Sequence, residues 1–136
     1  MRAPVIAFCL LLLAGPAVAG GEPVTTPVGS FTTTNSGQPI LLPQGPAQVT
    51  VARVEIPAGA SLPVHKHPHP RYAWVLEGRI RVTNLDAGLA VEYGPGEMII
   101  EARGQWHTGT ALGTEPVRLL VIDQTPPGEA NTVRRD

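Results

Sequence analysis

Pro63–Gly78, PVHKHPHPRYAWVLEG, is the stretch on which the reading of this chain turns. It holds three of the four histidines, His65, His67 and His69, at every second position. In extended backbone successive side chains point to opposite faces, so His65 and His67 share a face. Two imidazoles a few ångströms apart on one face can share a metal ion. His69 is in phase with them, but it is flanked by Pro68 and Pro70. It either turns to solvent or joins the same ion. His107 lies forty positions beyond His67, behind a glycine of its own. A chain that folds back on itself brings three neutral nitrogen ligands together. With water, such a set leaves an open coordination position, which distinguishes catalytic from structural metal sites.

Outward from this stretch the chain has a strand-and-turn rhythm. Gln48–Ile56 (QVTVARVEI) alternates, with Ala52, Val54 and Ile56 on one face and Arg53 and Glu55 on the other. Pro57–Ala60 is a turn, and Ser61–Lys66 is extended. Ala73–Leu76 is apolar and enters the tight turn Glu77-Gly78, and Arg79–Leu85 alternates again. Leu89–Tyr93, Met98–Glu101, Trp106–Ala111 and Val117–Asp123 follow, separated by glycine- and proline-bearing turns. Upstream, Thr32–Thr34 and Ile40–Leu42 read as short strands about a turn at Asn35–Gly37. No amphipathic helix appears. Many short strands without helices predict an all-β sandwich or barrel.

The ends read differently. Met1-Arg2 is basic, Val5–Ala14 is an apolar run too short to span a membrane comfortably, and Ala17–Ala19 supplies the small residues of a cleavage site. Residues 1–19 are expected to be a cleaved signal peptide, which places the protein in the periplasm or outside the cell. Its removal takes away Cys9, the one cysteine, and leaves no thiolate ligand, nucleophile or disulfide. The remaining 117 residues suffice for one domain. Residues 20–27 read as a flexible leader, 28–125 as the barrel and 126–136 as a disordered tail, with Arg134 and Arg135 solvated. The mature chain carries nine basic and eleven acidic side chains. With no basic stripe, nucleic acid is not an expected partner, nor is a membrane once the signal is removed. A homodimer is left open.

The histidine spacings resemble the cupin superfamily, whose fold is a double-stranded β-helix, or jelly-roll barrel. That family's first motif runs glycine, five residues, His-x-His, a glutamate three or four residues on, then six residues and a glycine. Gly59, His65, His67 and Gly78 stand at matching positions. Its second motif ends in Gly-x-x-His followed by an asparagine, and here Gly104 and His107 match. The preceding Gly94–Glu97 looks like the turn that members carry before this strand. The resemblance covers about residues 47–123, and the TTT, GQPI and LPQG strings before it look like those of small exported single-domain cupins. It implies a divalent transition metal (Fe, Mn, Cu, Ni or Zn) held by His65, His67 and His107. It also implies a barrel that takes a small organic molecule.

Three positions depart from the family pattern. Ala102 and Ala111 replace the second motif's proline and asparagine. Arg71 stands where the family places its glutamate ligand, and a guanidinium stays protonated and cannot bind metal. Arg71 either points into the barrel to grip an anionic substrate, or pairs with an acid, or turns outward. Glu101, six positions before His107, is the expected partner. Glu101 could alternatively restore a carboxylate ligand, or merely end a strand. Gln105 could line the same face. Tyr72, Trp74 and Trp106 form either a pocket wall or packing at the core and barrel mouth. No Ser-His-Asp order, phosphate-binding loop or dinucleotide fingerprint is present. Two functions are consistent with these residues. One is a metal-dependent oxidoreductase, dioxygenase-like. The other is a metal-free module that binds or senses a small ligand without catalysis.

Overall fold

The computed structural model describes residues 20–136; the expected signal peptide, 1–19, lies outside them. The described residues form nine strands and no helix. The strands are β1 (Gln48–Ile56), β2 (His65–Lys66), β3 (Arg71–Glu77), β4 (Arg79–Asn84), β5 (Leu89–Tyr93), β6 (Met98–Ile100), β7 (His107–Leu112), β8 (Val117–Thr125) and β9 (Val133–Arg134). They pair antiparallel in two sheets, ordered β1-β8-β3-β6 and β5-β4-β7-β2-β9. The two sheets face each other as a jelly-roll barrel.

Alternation along each strand decides what the barrel contains. On β3 the inward row runs Val75, Ala73, Arg71; on β8 it runs Leu119, Val121, Asp123. On β4 it runs Ile80, Val82, Asn84, and register sets these against Ala111, Gly109 and His107 of β7. Each row is therefore apolar at one end and polar at the other. Ile56, Val75, Ile80, Ile99, Val117 and Leu119 close the apolar end as a buried core. The polar ends of the rows meet at the opposite mouth. Outward positions such as Arg79 and Arg81 are exposed and pair with Glu92.

Two expectations need correction. Thr32–Thr34 and Ile40–Leu42 do not form strands; they share only a bridge between Thr33 and Pro39. Side-chain bonding outcompetes the ladder there: the Gln38 amide donates to Thr34 Oγ1 at 3.1 Å and closes the turn locally. Prolines 39 and 43 lack donors for a continuing pair. The second correction is the tail. Residues 126–136 are not a loose end: Val133 and Arg134 form β9 against Lys66 and His65, and Asn131 is buried. Composition predicted disorder, but the tail's backbone completes the β2 edge, and Asn131 fills polar sites the barrel cannot satisfy itself.

Gly78 joins β3 to β4 with φ of 75°, and a Cβ there would collide with the Pro116 carbonyl. Gly59 has φ of 71° with open space around it. Gly78→Ala should therefore cost more stability, about 2–4 kcal/mol in urea unfolding, than Gly59→Ala, at about 1 kcal/mol. Equal costs would show that strain alone, and not the Pro116 contact, makes glycine necessary.

Candidate metal centre

His65 begins β2, and His107 begins β7 directly opposite it in register. His67 follows two residues after His65 and bridges to Arg103. The three rings form a triangle with centroids 4.6–4.9 Å apart. One ligand nitrogen from each lies within 4.8 Å of the others. All three are buried.

Their tautomers follow from their partners. His65 Nδ1 lies 2.7 Å from the Pro63 carbonyl, His67 Nδ1 2.6 Å from the Asn131 carbonyl, and His107 Nδ1 2.8 Å from the Gln105 carbonyl. A carbonyl only accepts, so each Nδ1 carries the proton and each Nε2 keeps its lone pair. His67 Nε2 and His107 Nε2 are buried without a hydrogen-bond partner among the described residues. Burial pushes the pKa of His65 and His107 down, and that of His67 down to about 2 with help from the Arg71 charge. All three are neutral at pH 7.

A fourth donor comes from Glu101, just past β6. Its Oε2 is also buried and unpartnered, 3.5 Å from His107 Nε2. Burial raises its pKa to about 7, opposed by the charges of His65 and Arg71. Three buried lone-pair atoms without donors are costly to leave unsatisfied. A bound cation satisfies all of them, so the donor set fits a divalent transition metal: three imidazole nitrogens with a carboxylate beside them.

Arg71 points into the barrel but does not pair with Glu101, contrary to the sequence expectation. Its Nε and Nη2 each donate at 2.7 Å to the two carboxylate oxygens of Asp123, directly opposite on β8. Pairing sets Arg71 between two acids, with Asp123 opposite it on β8 and Glu101 on the other side, where the Glu101 amide donates to the Arg71 carbonyl at 3.0 Å; the guanidinium turns to Asp123. Asp123 was legible only as a residue in phase with Leu119 and Val121. Asn131, the other residue missed, donates to Asp123 Oδ1 at 2.7 Å, and no local pattern announces it.

His69 is not part of the cluster. Its Nε2 lies in hydrogen-bond contact with Glu129 Oε2 at 2.7 Å, and its amide donates to Asn131 Oδ1. The Gln105 side chain does not line the cavity either; its Oε1 accepts from Ser36 and Asn84, while its carbonyl orients His107. The aromatics lie outside the cavity as well. Trp106 sits beneath Lys66 and Arg135, 4.5 and 5.6 Å from its ring centre, and Tyr72 donates to Gln124. Arg135 is exposed, as expected, and also lies over the Trp106 ring.

The histidines open onto an inner cavity of about 50 Å³, lined also by Arg71, Glu101, Val82 and Leu119. That volume suits an ion with one or two waters, a water occupying about 30 Å³ in the liquid. The largest depression, about 500 Å³, lies on the outer surface over Arg118, whose charge is already spent on Glu55 and Glu77.

The cupin domain model matches residues 52–123, more than half of the chain. This protein is a cupin. No curated protein matches it. Among solved structures it is similar to the polyketide cyclase RemF from Streptomyces resistomycificus, at 26% identity over 72% of this chain and 70% of that one, TM-score 0.55. It is also similar to the Cnp3 cupin domain of Schizosaccharomyces pombe, at 29% identity over 63% and 61%, TM-score 0.53. DMSP lyase DddQ from Ruegeria pomeroyi DSS-3, at 24% identity over 63% of this chain and 42% of that one, TM-score 0.54, shares the fold.

The histidine pKa values set a pH dependence for this cupin without metal. Below pH 6.5 the unfolded chain takes up protons on His65, His67 and His107 that the folded chain refuses, so stability falls on acidification. Glu101 acts oppositely between about pH 4.5 and 7, where the folded state alone holds its proton. Three histidines outweigh one acid. Urea midpoints of chelator-treated protein should fall from pH 6.5 to 5, with a steeper fall in Glu101→Gln; a rising midpoint would contradict burial of the neutral imidazoles.

Proposed function

We propose that this cupin binds one divalent transition metal through His65, His67 and His107, with Glu101 as the adjacent carboxylate, and acts there on a small organic molecule. The observation that carries this reading is the shared orientation of the rings. Every Nδ1–H is tied to a carbonyl, which leaves the Nε2 lone pairs directed to one buried point. A bound metal supplies Lewis acidity there, and a redox-active one supplies electron transfer as well. Dioxygenase-like oxidation is the redox form of this reading.

The chain's own residues do the rest. Asn131, Pro63 and Gln105 fix the ligand rings through their carbonyls. Asp123 offsets the Arg71 charge at the cavity wall in part; what remains still helps keep His67 neutral. Glu101 supplies one negative charge to an otherwise neutral ligand set, which replaces what the substitution at position 71 removes. Protonated at low pH, it offers a proton at the carboxyl facing His107. Leu62, Val82, Leu119 and Val121 line the remaining cavity and keep bulk water out. That RemF is a polyketide cyclase supports an organic substrate for the same fold.

Cobalt(II) titration tests the metal site, since its absorption bands report nitrogen ligation. One equivalent should bind, with at least tenfold weaker binding in His65→Ala, His67→Ala or His107→Ala, and a smaller loss in Glu101→Gln. Undiminished binding in the His65/His67 double variant would place any metal elsewhere. Ligand binding of equal affinity with and without metal would favour the non-catalytic module instead.

Export of this protein is proposed on residues 1–19 alone. Intact mass of the protein recovered from the periplasm or medium should correspond to a chain beginning at Gly20; a mass that includes Met1 would refute cleavage.

A further inference from the structure

The tail that composition reads as disordered brings a second charged group to the barrel mouth. β9 pairs with β2 at His65, which carries Arg134 and, two positions before it, Thr132 to the rim. There they border a pocket of about 170 Å³ with Val54, Leu62, His65 and Arg71. Val54, Leu62, His65 and Arg71 also line the inner cavity, so the two volumes adjoin.

The charges at this mouth do not balance. No acidic side chain lines the outer pocket. Arg134 has no acidic partner within 4 Å among the described residues. Arg71 spends Nε and Nη2 on Asp123, while its Nη1 has no acceptor among the described residues. The Arg71–Asp123 pair is neutral, and Glu101 cancels only half of a divalent ion. With a divalent ion in the histidine site the sum at the mouth is positive; with or without it, the outer pocket itself is lined by two guanidinium groups and the Thr132 hydroxyl and by no acid. Guanidinium groups match the planar, two-oxygen shape of a carboxylate. The walls contributed by Val54 and Leu62 are apolar. The outer pocket holds about six water volumes, enough for a molecule of a few carbons.

We infer that the outer pocket is a carboxylate-binding vestibule. Arg134 and Arg71 Nη1 hold the anionic group of a small carboxylic acid, whose apolar body lies against Val54 and Leu62 beside His65. This names the substrate class of the metal site proposed above and rests on that reading for its catalytic meaning. The vestibule itself needs no metal to bind. Arg134 is a specificity-determining residue here, delivered by backbone pairing that its side chain does not make.

Propionate, which does not chelate, is the probe, and propionamide is its neutral counterpart of the same shape. Each is titrated into the protein with and without cobalt(II), and the backbone amide resonances of His65 and Thr132 are followed. Propionate should shift both saturably, more tightly with cobalt, and less tightly as salt rises. Propionamide should bind at least tenfold more weakly. Arg134→Gln should weaken propionate at least fivefold, whereas Lys66→Gln, whose cation lies over Trp106, should leave it unchanged. Equal binding of amide and acid, or an Arg134→Gln variant that binds propionate as tightly as the parent, would overturn the vestibule. Cobalt binding without any propionate response at His65 and Thr132 overturns it too, while leaving the metal reading intact. Propionate binding at these residues in a protein that takes up no cobalt supports the vestibule and removes the metal.

Discussion

Three hydrogen bonds from imidazole Nδ1–H to backbone carbonyls govern this site. They hold His65, His67 and His107 in one tautomer, neutral, with their Nε2 atoms turned to a common point. Two of these bonds are local. Pro63 serves His65, and Gln105 serves His107, each from two residues earlier in the chain. The third spans 64 positions, from His67 to Asn131. The geometry of the cluster thus depends on a segment that contributes no ligand. Asn131 is itself held by bonds to Asp123, Pro70 and the His69 amide. His69, which the spacing offers as a fourth ligand, instead helps fasten this segment through Glu129.

Charge around the cluster is redistributed relative to the cupin pattern. Position 71 carries a cation where a carboxylate is usual, and the carboxylate beside the histidines comes from Glu101 on another strand. A guanidinium that close to an ion site is tolerable only if its charge is met. Asp123 meets it with two parallel hydrogen bonds, the strong form of this contact. Both side chains are largely buried, so the pair is worth little as a source of stability. Its role is to offset the guanidinium charge at the wall.

The barrel supplies the gradient on which all of this rests. Inward rows pass from Val75, Leu119 and Ala111 at one end to Arg71, Asp123 and His107 at the other. Antiparallel pairing places the polar ends of neighbouring strands side by side. A floor of aliphatic side chains and a mouth of titratable ones follow from register alone, without any long loop to build the site. Burial then lowers the histidine pKa values and raises that of Glu101, as it must for groups that lose water before gaining a partner.

The sequence by itself determined what repeats locally. Period-two alternation marked β1, β4 and β8, and glycines with positive φ, such as Gly59, Gly78 and Gly104, marked the turns. The His-x-His spacing and the distant Gly-x-x-His located the metal candidates, because side-chain phase in a strand is readable from spacing. Only the tertiary structure decided who meets whom across strands. Pairing placed Arg71 between Asp123 and Glu101, the side-chain contact went to Asp123, and a one-residue slip would have reversed the faces. The tail shows the same limit more sharply. Its composition is that of a solvated end, and nothing in its eleven residues reveals that a distant strand edge lacks a partner. Pairing with β2, and the unsatisfied Nδ1 of His67, gave that segment its order.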